Sequence, residues 1–341
     1  MASACWAEPL RVALYHTELE RDGPGLLLRD ILSGDDPQVQ AVTDVISEAN
    51  PDILVLAGFD YDLHGVALAA FAKTLDGYPH QFTQHPNRGR PSRFDLNGNG
   101  KLGDAEDAWG FGEFNGQGGL AILSRWPIDD ESVRDFSTIP WTNLKDHSAL
   151  PTTPTNHPLS TTAHWEVPIL LPNGTPLHLL VWHATPPVFD GPDDRNGRRN
   201  HDEAAFWVQY LDVKRHPHFV LAGVANLDPV DGDGRNTALK QLLTHPQVQD
   251  LAPKSAGGVH AANPTHRGDP ALDTADWPDG PNRPGNLRVD YVLPSRSLNA
   301  KGSGVLWPLD EGPLRRAVEA ASRHRLVWID VETPDGAGQG D

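Results

Sequence analysis

Leu10-Arg11-Val12-Ala13-Leu14-Tyr15 is followed by Asp36-Pro37 and then by Ile53-Leu54-Val55-Leu56-Ala57, and the character of these three pieces decides the fold. The first is an apolar run of strand length. Asp36 reads as a helix N-cap with Pro37 at the first helical position, where a missing amide hydrogen is no loss. Val39, Val42, Ile46 and Ala49 then recur at the spacing of one helix face, and Pro51 stops the helix. Residues 53–57 are apolar throughout, the pattern of a strand covered on both faces. Strand, helix and strand in that order predict a layered α/β protein.

The same reading extends along the chain. Strands are expected at 119–123, 159–170, 177–183, 219–221, 289–293 and 326–331, and helices over 64–76, 202–213 and 236–243. Residues 84–117 are rich in Gly and Asn, and residues 251–287 in Pro, Gly and Asp. Both read as long loops, and loops of that length in a compact domain are commonly functional. No linker-like change of composition interrupts the strands. One domain is expected over 9–332, after a segment at 1–8 and before a flexible, Gly- and Asp-rich tail at 333–341.

The chain has 341 residues, of which 38% are hydrophobic, enough for a sizeable core. No apolar run approaches the ~20 residues of a membrane-spanning helix. The net charge of -18 disfavours nonspecific nucleic-acid binding. The one dense basic stretch, Arg195, Arg198 and Arg199, is flanked by Asp193, Asp194, Asp202 and Glu203. Cys5 is the only cysteine, so no intrachain disulfide can form. Ala2-Ser3-Ala4 is either the tail of a removed export signal or an ordinary N-terminus. A periplasmic or extracellular setting is expected, with a cytoplasmic one as the alternative.

Several segments carry a resemblance that spans nearly the whole chain. They are Phe59-Asp60-Tyr61-Asp62, Gln117 to Arg125, His164-Trp165, His183-Ala184-Thr185-Pro186-Pro187-Val188-Phe189-Asp190-Gly191 with Asp194 to Glu203, Asp228 to Asp233, Arg288 to Pro294, and Ser322 to Trp328. In this order and spacing they resemble the endonuclease/exonuclease/phosphatase superfamily, in a bacterial branch. The resemblance implies a DNase I-like fold, a four-layer α/β sandwich of two mixed β-sheets packed face to face and flanked by helices. It also implies a site at one rim of the sandwich.

The resemblance further implies which positions carry chemistry. His183, Asn226, Asp290 and His324 are retained catalytic positions, with Asp290 orienting His324. Four positions depart from the pattern. An amide is expected where His16 stands, the principal Mg²⁺-binding glutamate where Gly58 stands, a water-orienting aspartate at Val224 and another acidic ligand at Arg323. Hard Mg²⁺ needs carboxylate or water oxygens, so Mg²⁺ is not expected here, and the candidate general base is gone as well. His16, Arg323 and Asn226 are instead expected to line an anion pocket together with the retained histidines.

A separate pattern lies at 95–106. Asp95, Asn97, Asn99 and Glu106, with Gly100 at the turn and the Lys101 carbonyl, fit a twelve-residue Ca²⁺ loop. Asp228, Asp231 and Asp233 form a weaker candidate that turn chemistry explains as well. Trp165, Trp182, Trp207 and Trp328 beside the motifs read as core. The whole predicts a degenerate superfamily member, a pseudoenzyme, that holds a small anionic or phosphate-containing ligand or a protein partner. The alternatives are a phosphoesterase with an altered metal or metal-free site, and a Ca²⁺-stabilised scaffold.

Overall fold

The computed structural model describes residues 9–333. Its strands are β1 (Leu10–Leu19), β2 (Ile53–Phe59), β3 (His80–Phe82), β4 (Gly119–Ser124), β5 (Arg134–Asp135), β6 (His164–Leu170), β7 (Pro176–His183), β8 (Phe219–Val224), β9 (Ala275–Asp276), β10 (Asn286–Leu287), β11 (Asp290–Pro294), β12 (Ala300–Val305) and β13 (Val327–Val331). Its helices are α1 (Leu26–Ser33), α2 (Pro37–Ala49), α3 (Val66–Ala72), α4 (Arg195–Val213), α5 (Thr237–Leu243), α6 (Ala256–His260) and α7 (Pro313–Ala321). Cys5, Ala2-Ser3-Ala4 and the expected tail from residue 334 onward lie outside the described residues.

Alternation along the strands builds the layers. In β1, Leu10, Val12 and Leu14 face the second sheet, while Ala13 and Tyr15 face helices α2 and α7. In β7, Leu177, Leu179 and Val181 face the first sheet, while Leu180 and Trp182 face α4 and α5. The first sheet has the order β12-β13-β1-β2-β4-β3 and the second β11-β8-β7-β6-β5. Each is mixed, with β1 and β2 parallel in one and β7 and β8 parallel in the other. Trp165 from β6 meets Phe82 of the opposite sheet edge-on at 5.2 Å. This is the four-layer sandwich that the sequence implied.

Local signals hold where the chain itself carries them. Asp36 caps α2 by accepting a hydrogen bond from the Val39 amide at 2.8 Å. Other elements escape sequence reading. α4 begins at Arg195, earlier than the expected 202, because Arg199, Asn200, Asp202 and Glu203 look like surface residues yet are buried. Arg199 donates to the carbonyls of Leu159, Trp109, Pro158 and Ser160, and Glu203 accepts from the Thr161 and Thr185 amides. β12 is poor in strand formers and exists as an edge strand paired to β13, with Lys301 as an edge charge. The loop over 251–287 contains α6, β9 and β10.

His164 is buried on the α4 side of β6, stacked on Trp207 at 5.6 Å, with Nδ1 2.9 Å from Ser160 Oγ. Burial lowers its pKa to about 3. The unfolded chain therefore takes up this proton near pH ~6.5, well before the folded one. Its contribution to stability is present above that pH and is lost as pH falls toward 3. In His164→Asn, the slope of unfolding free energy against pH between about 6 and 4 should flatten by up to one proton, ~1.4 kcal/mol per pH unit. Denaturant titrations at several pH values measure it, and an unchanged slope contradicts the assignment.

Candidate active-site rim

Strand parity also assembles the site. His16 continues the inward series of Leu10, Val12 and Leu14, and His183 continues that of Leu177, Leu179 and Val181. His183 ends β7 and His16 is the last residue of β1 before its register with β2 shifts, and the two meet across the rim, edge to face at 5.0 Å. In the second sheet, His183 pairs in register with Val224, and Val224 with Asp290. His324, just before β13, stacks on His16 at 4.2 Å and has Trp277 edge-on at 5.2 Å. The three imidazoles are 8% (His16), 4% (His183) and 3% (His324) exposed, which makes the rim a packed cluster rather than an open cleft.

Hydrogen bonds fix this arrangement. His324 Nδ1 lies 2.9 Å from Asp290 Oδ2, which also accepts from Thr274 Oγ1 at 2.8 Å. Ser322 Oγ donates to the His16 carbonyl and accepts from the His324 amide. Asn200 Nδ2 bridges the carbonyls of Thr185 and Ala225, tying together the chain that leaves β7 and the chain that leaves β8. Asn226 has a left-handed backbone, φ 51°, and donates to the Ala184 carbonyl at 2.8 Å. Burial, with His324 beside it, lowers the His16 pKa to about 4. Burial drives His183 well below the ordinary histidine value. His16 and His183 are therefore neutral at pH 7.

At Gly58 the structure leaves no room for a side chain. Gly58 has φ +62°, and a Cβ there would lie 2.7 Å from His16 Cε1 and 3.1 Å from His16 Nε2. The His16 ring fills the space that a side chain at 58 needs. Val224 is wholly buried in the core between the sheets. Asp60 accepts from the Arg21 and Gly118 amides, and Asp62 from the Ala67 amide. Gly58 and Val224 offer no side-chain oxygen to Mg²⁺, and position 58 is sterically closed.

Two expectations need correction. Arg323 is not a free cation for an anion. Its Nε and backbone amide each donate to Glu18 at 2.8 Å, and its Nη2 also bonds that carboxylate. The carboxylates are not all lost either. Glu18, φ 51°, turns its side chain back to the rim, where its ligand oxygen and nitrogens of His16 and His324 lie within 4.8 Å of one another. Burial opposes its ionisation, but Arg323 and His16 outweigh that and hold it at about 2. Glu20 pairs with Arg88 through contacts of 2.7 and 2.9 Å. The alternation His16-x-Glu18-x-Glu20 was the available sequence signal for both.

The loop at 95–106 stands apart from the rim residues in sequence and in bonding. Asp95 accepts from the Asn99 and Gly100 amides, Asn97 from Asn99, and Asn99 from Lys101. Asn97 Nδ2 donates to Glu106 at 2.7 Å. Buried Asp107, which the sequence reading passed over, braces the loop by accepting from the Leu96 and Gly103 amides. Asp228 and Asp231 are engaged by backbone amides of Val230, Asp231, Arg288, Arg267 and Gly268, the turn chemistry weighed above.

The His16–Gly58 exclusion yields a thermodynamic cycle. Gly58→Ala carries ~1–2 kcal/mol of left-handed strain plus the clash with the ring. In a His16→Ala background the strain and the 3.2 Å approach to the Glu18 amide nitrogen should remain, without the ring clash. The two substitutions should couple by at least ~1 kcal/mol in chemical denaturation. Equal costs in both backgrounds would mean that the ring does not hold this space.

Comparison with known proteins agrees with this geometry. No curated protein sequence matches the chain. Among solved structures, an endonuclease/exonuclease/phosphatase from Beutenbergia cavernae superposes with TM-score 0.60 at 18% identity, covering 97% of this chain and 73% of that one. A family protein from Leptotrichia buccalis gives 0.54 at 15% identity, covering 95% and 100%. The Bacteroides thetaiotaomicron mannosyl-6-phosphatase gives 0.52 at 15%, covering 94% and 99%. These likenesses establish the fold. The sequence profile of the Endonuclease/Exonuclease/phosphatase family matches residues 30–324, and the chain belongs to that family.

Proposed function

We propose that this protein is a family member without Mg²⁺-dependent hydrolysis, and that its rim holds a small phosphate-like anion or a partner's acidic group. The observation that carries the reading is the His16 ring seated where a side chain at 58 would stand. Relatives include proteins named as a mannosyl-6-phosphatase and a sphingomyelinase C. Their titles suggest phosphate esters as the class of ligand to try. Neutral imidazole N–H groups of His16 and His183, whose Nδ1 atoms have no hydrogen-bond partner, supply donors for such an oxyanion. The tight packing of the three imidazoles requires them to part slightly to admit it.

A second reading has one specific support. His16, Glu18 and His324 offer two nitrogens and an oxygen, a set suited to Zn²⁺ or another transition metal rather than Mg²⁺. In that case His183 would act beside an altered metal centre of a working phosphoesterase. Hydrolysis of an activated phosphomonoester and phosphodiester separates the readings. It is run with Mg²⁺, Mn²⁺ or Zn²⁺, with a chelator, and with His183→Ala as the contamination control. No turnover above that control is expected. Turnover that His183→Ala abolishes overturns the proposal, and its metal dependence identifies the replacement.

We also propose Ca²⁺ at the loop 95–106, held by Asp95, Asn97, Asn99, the Lys101 carbonyl and Glu106. The support is the sequence pattern, with its turn already closed by Asx bonds. A Ca²⁺ site of modest affinity suits a periplasmic or extracellular setting. Calorimetric titration should give one Ca²⁺ equivalent that Asp95→Ala and Glu106→Ala remove. Retention in both variants would rule the loop out.

A further inference from the structure

A second cluster of ligand-type side chains lies at the other end of β7. His178 and His183 are five residues apart on that strand, about 16 Å at the rise of a β-strand. Trp165 and Val167 of β6 face the opposite sheet, so Glu166 between them faces α4, as does His178 between Leu177 and Leu179. His216 comes from the connection between α4 and β8. Three separate pieces of chain therefore converge at one point.

Their geometry is specific. His178 Nδ1 lies 2.9 Å and His216 Nε2 3.0 Å from the same oxygen of Glu166, Oε1. The two rings stack at 4.0 Å with 29° between their planes. The other oxygen of Glu166 is held by Tyr210 Oη and lies 3.4 Å from Arg134 Nη1. Burial opposes ionisation of Glu166, but hydrogen bonds from His178, His216 and Tyr210 hold it well below the usual carboxylate range. Its side chain is 3% exposed, against 19% for His178 and 15% for His216. The carboxylate is buried while the imidazoles reach the surface, which leaves an entry path.

The geometry points to a transition-metal site, for Zn²⁺ or a cation of like preference, formed by Glu166, His178 and His216. Zn²⁺ binds imidazole nitrogen and carboxylate oxygen at about 2.0–2.2 Å, which puts tetrahedral ligand atoms about 3.3 Å apart. The three ligand atoms here already lie within 4.8 Å of one another, two of the spacings being 2.9 and 3.0 Å. Metal entry displaces the two N–H protons that otherwise point at Oε1, and two imidazoles select against Mg²⁺ and Ca²⁺. The Tyr210 oxygen, 3.4 Å from His216 Nε2, or a water completes the shell. Arg134 is 43% exposed; it also donates to Tyr210 Oη at 3.0 Å and lies over the Phe136 ring, and it has to leave Glu166 as the cation arrives. Such a site clamps the α4–β8 connection onto β6 and β7, far from the rim.

The test is titration of the metal-free full-length protein with Zn²⁺ against a chromophoric chelator, and with Co²⁺ read by its visible absorption. His324→Ala is the background that disables the rim group. Loss of an outer-sphere partner alone weakens metal binding 10–100-fold, so His178→Ala and His216→Ala should each weaken this site by more than about 100-fold. Both should also abolish the Co²⁺ band and the Zn²⁺-induced rise in melting temperature, whereas His324→Ala should keep them. If His178→Ala does not fold, His216→Ala, outside the regular elements, carries the test. Zn²⁺ binding unchanged in His216→Ala, or no binding by wild type at micromolar Zn²⁺, overturns the inference.

Discussion

The parallel pairing of β1 with β2, in the register His16 to Ala57, is the constraint on which the rim depends. It brings the His16 ring against Gly58, where the backbone turns left-handed and no side chain fits. Once an imidazole occupies that volume, stacking brings in His324 and edge contact brings in His183. Asp290 then holds His324 while accepting from Thr274, and Ser322 ties the last motif back to the first strand. A large ring at 16 and glycine at 58 are thus one substitution in physical terms. With the ring in place, position 58 has no room for a longer side chain.

Charge at the rim follows the same logic. Buried carboxylates need compensation, because an unpaired buried charge is strongly unfavourable. Glu18 obtains it from Arg323 and Glu20 from Arg88. Arginine at the position of an expected acid is therefore not an isolated oddity. It neutralises a carboxylate that the chain retains two residues beyond His16. Burial keeps His16 and His183 neutral, outweighing at His16 the nearby carboxylates of Glu20, Glu18 and Asp290.

Legibility differed by element. The α2 cap at Asp36, the apolar strands and the rim-forming motifs were readable, because each is written in a short window with its own periodicity. The early start of α4 was not, since Arg199, Asn200 and Glu203 look solvent-facing until the carbonyls and amides they satisfy are known. β12 was not, because an edge strand of Lys, Gly and Ser exists only through its partner β13. Arg323 was read as a free charge because Glu18 is 305 positions away along the chain.

The sequence by itself determined the layered α/β architecture and the family, and it placed Gly58, Val224 and Arg323 beside the motifs that carry the resemblance. These follow from local periodicity and from residue chemistry, which need no knowledge of neighbours. Only the tertiary structure decided that His16 closes the space at Gly58, that Glu18 takes Arg323, and that Glu166, His178 and His216 meet. Those facts arise where strand ends and a connection from distant parts of the chain converge. Sheet register and side-chain direction, which no short window encodes, set the distances there.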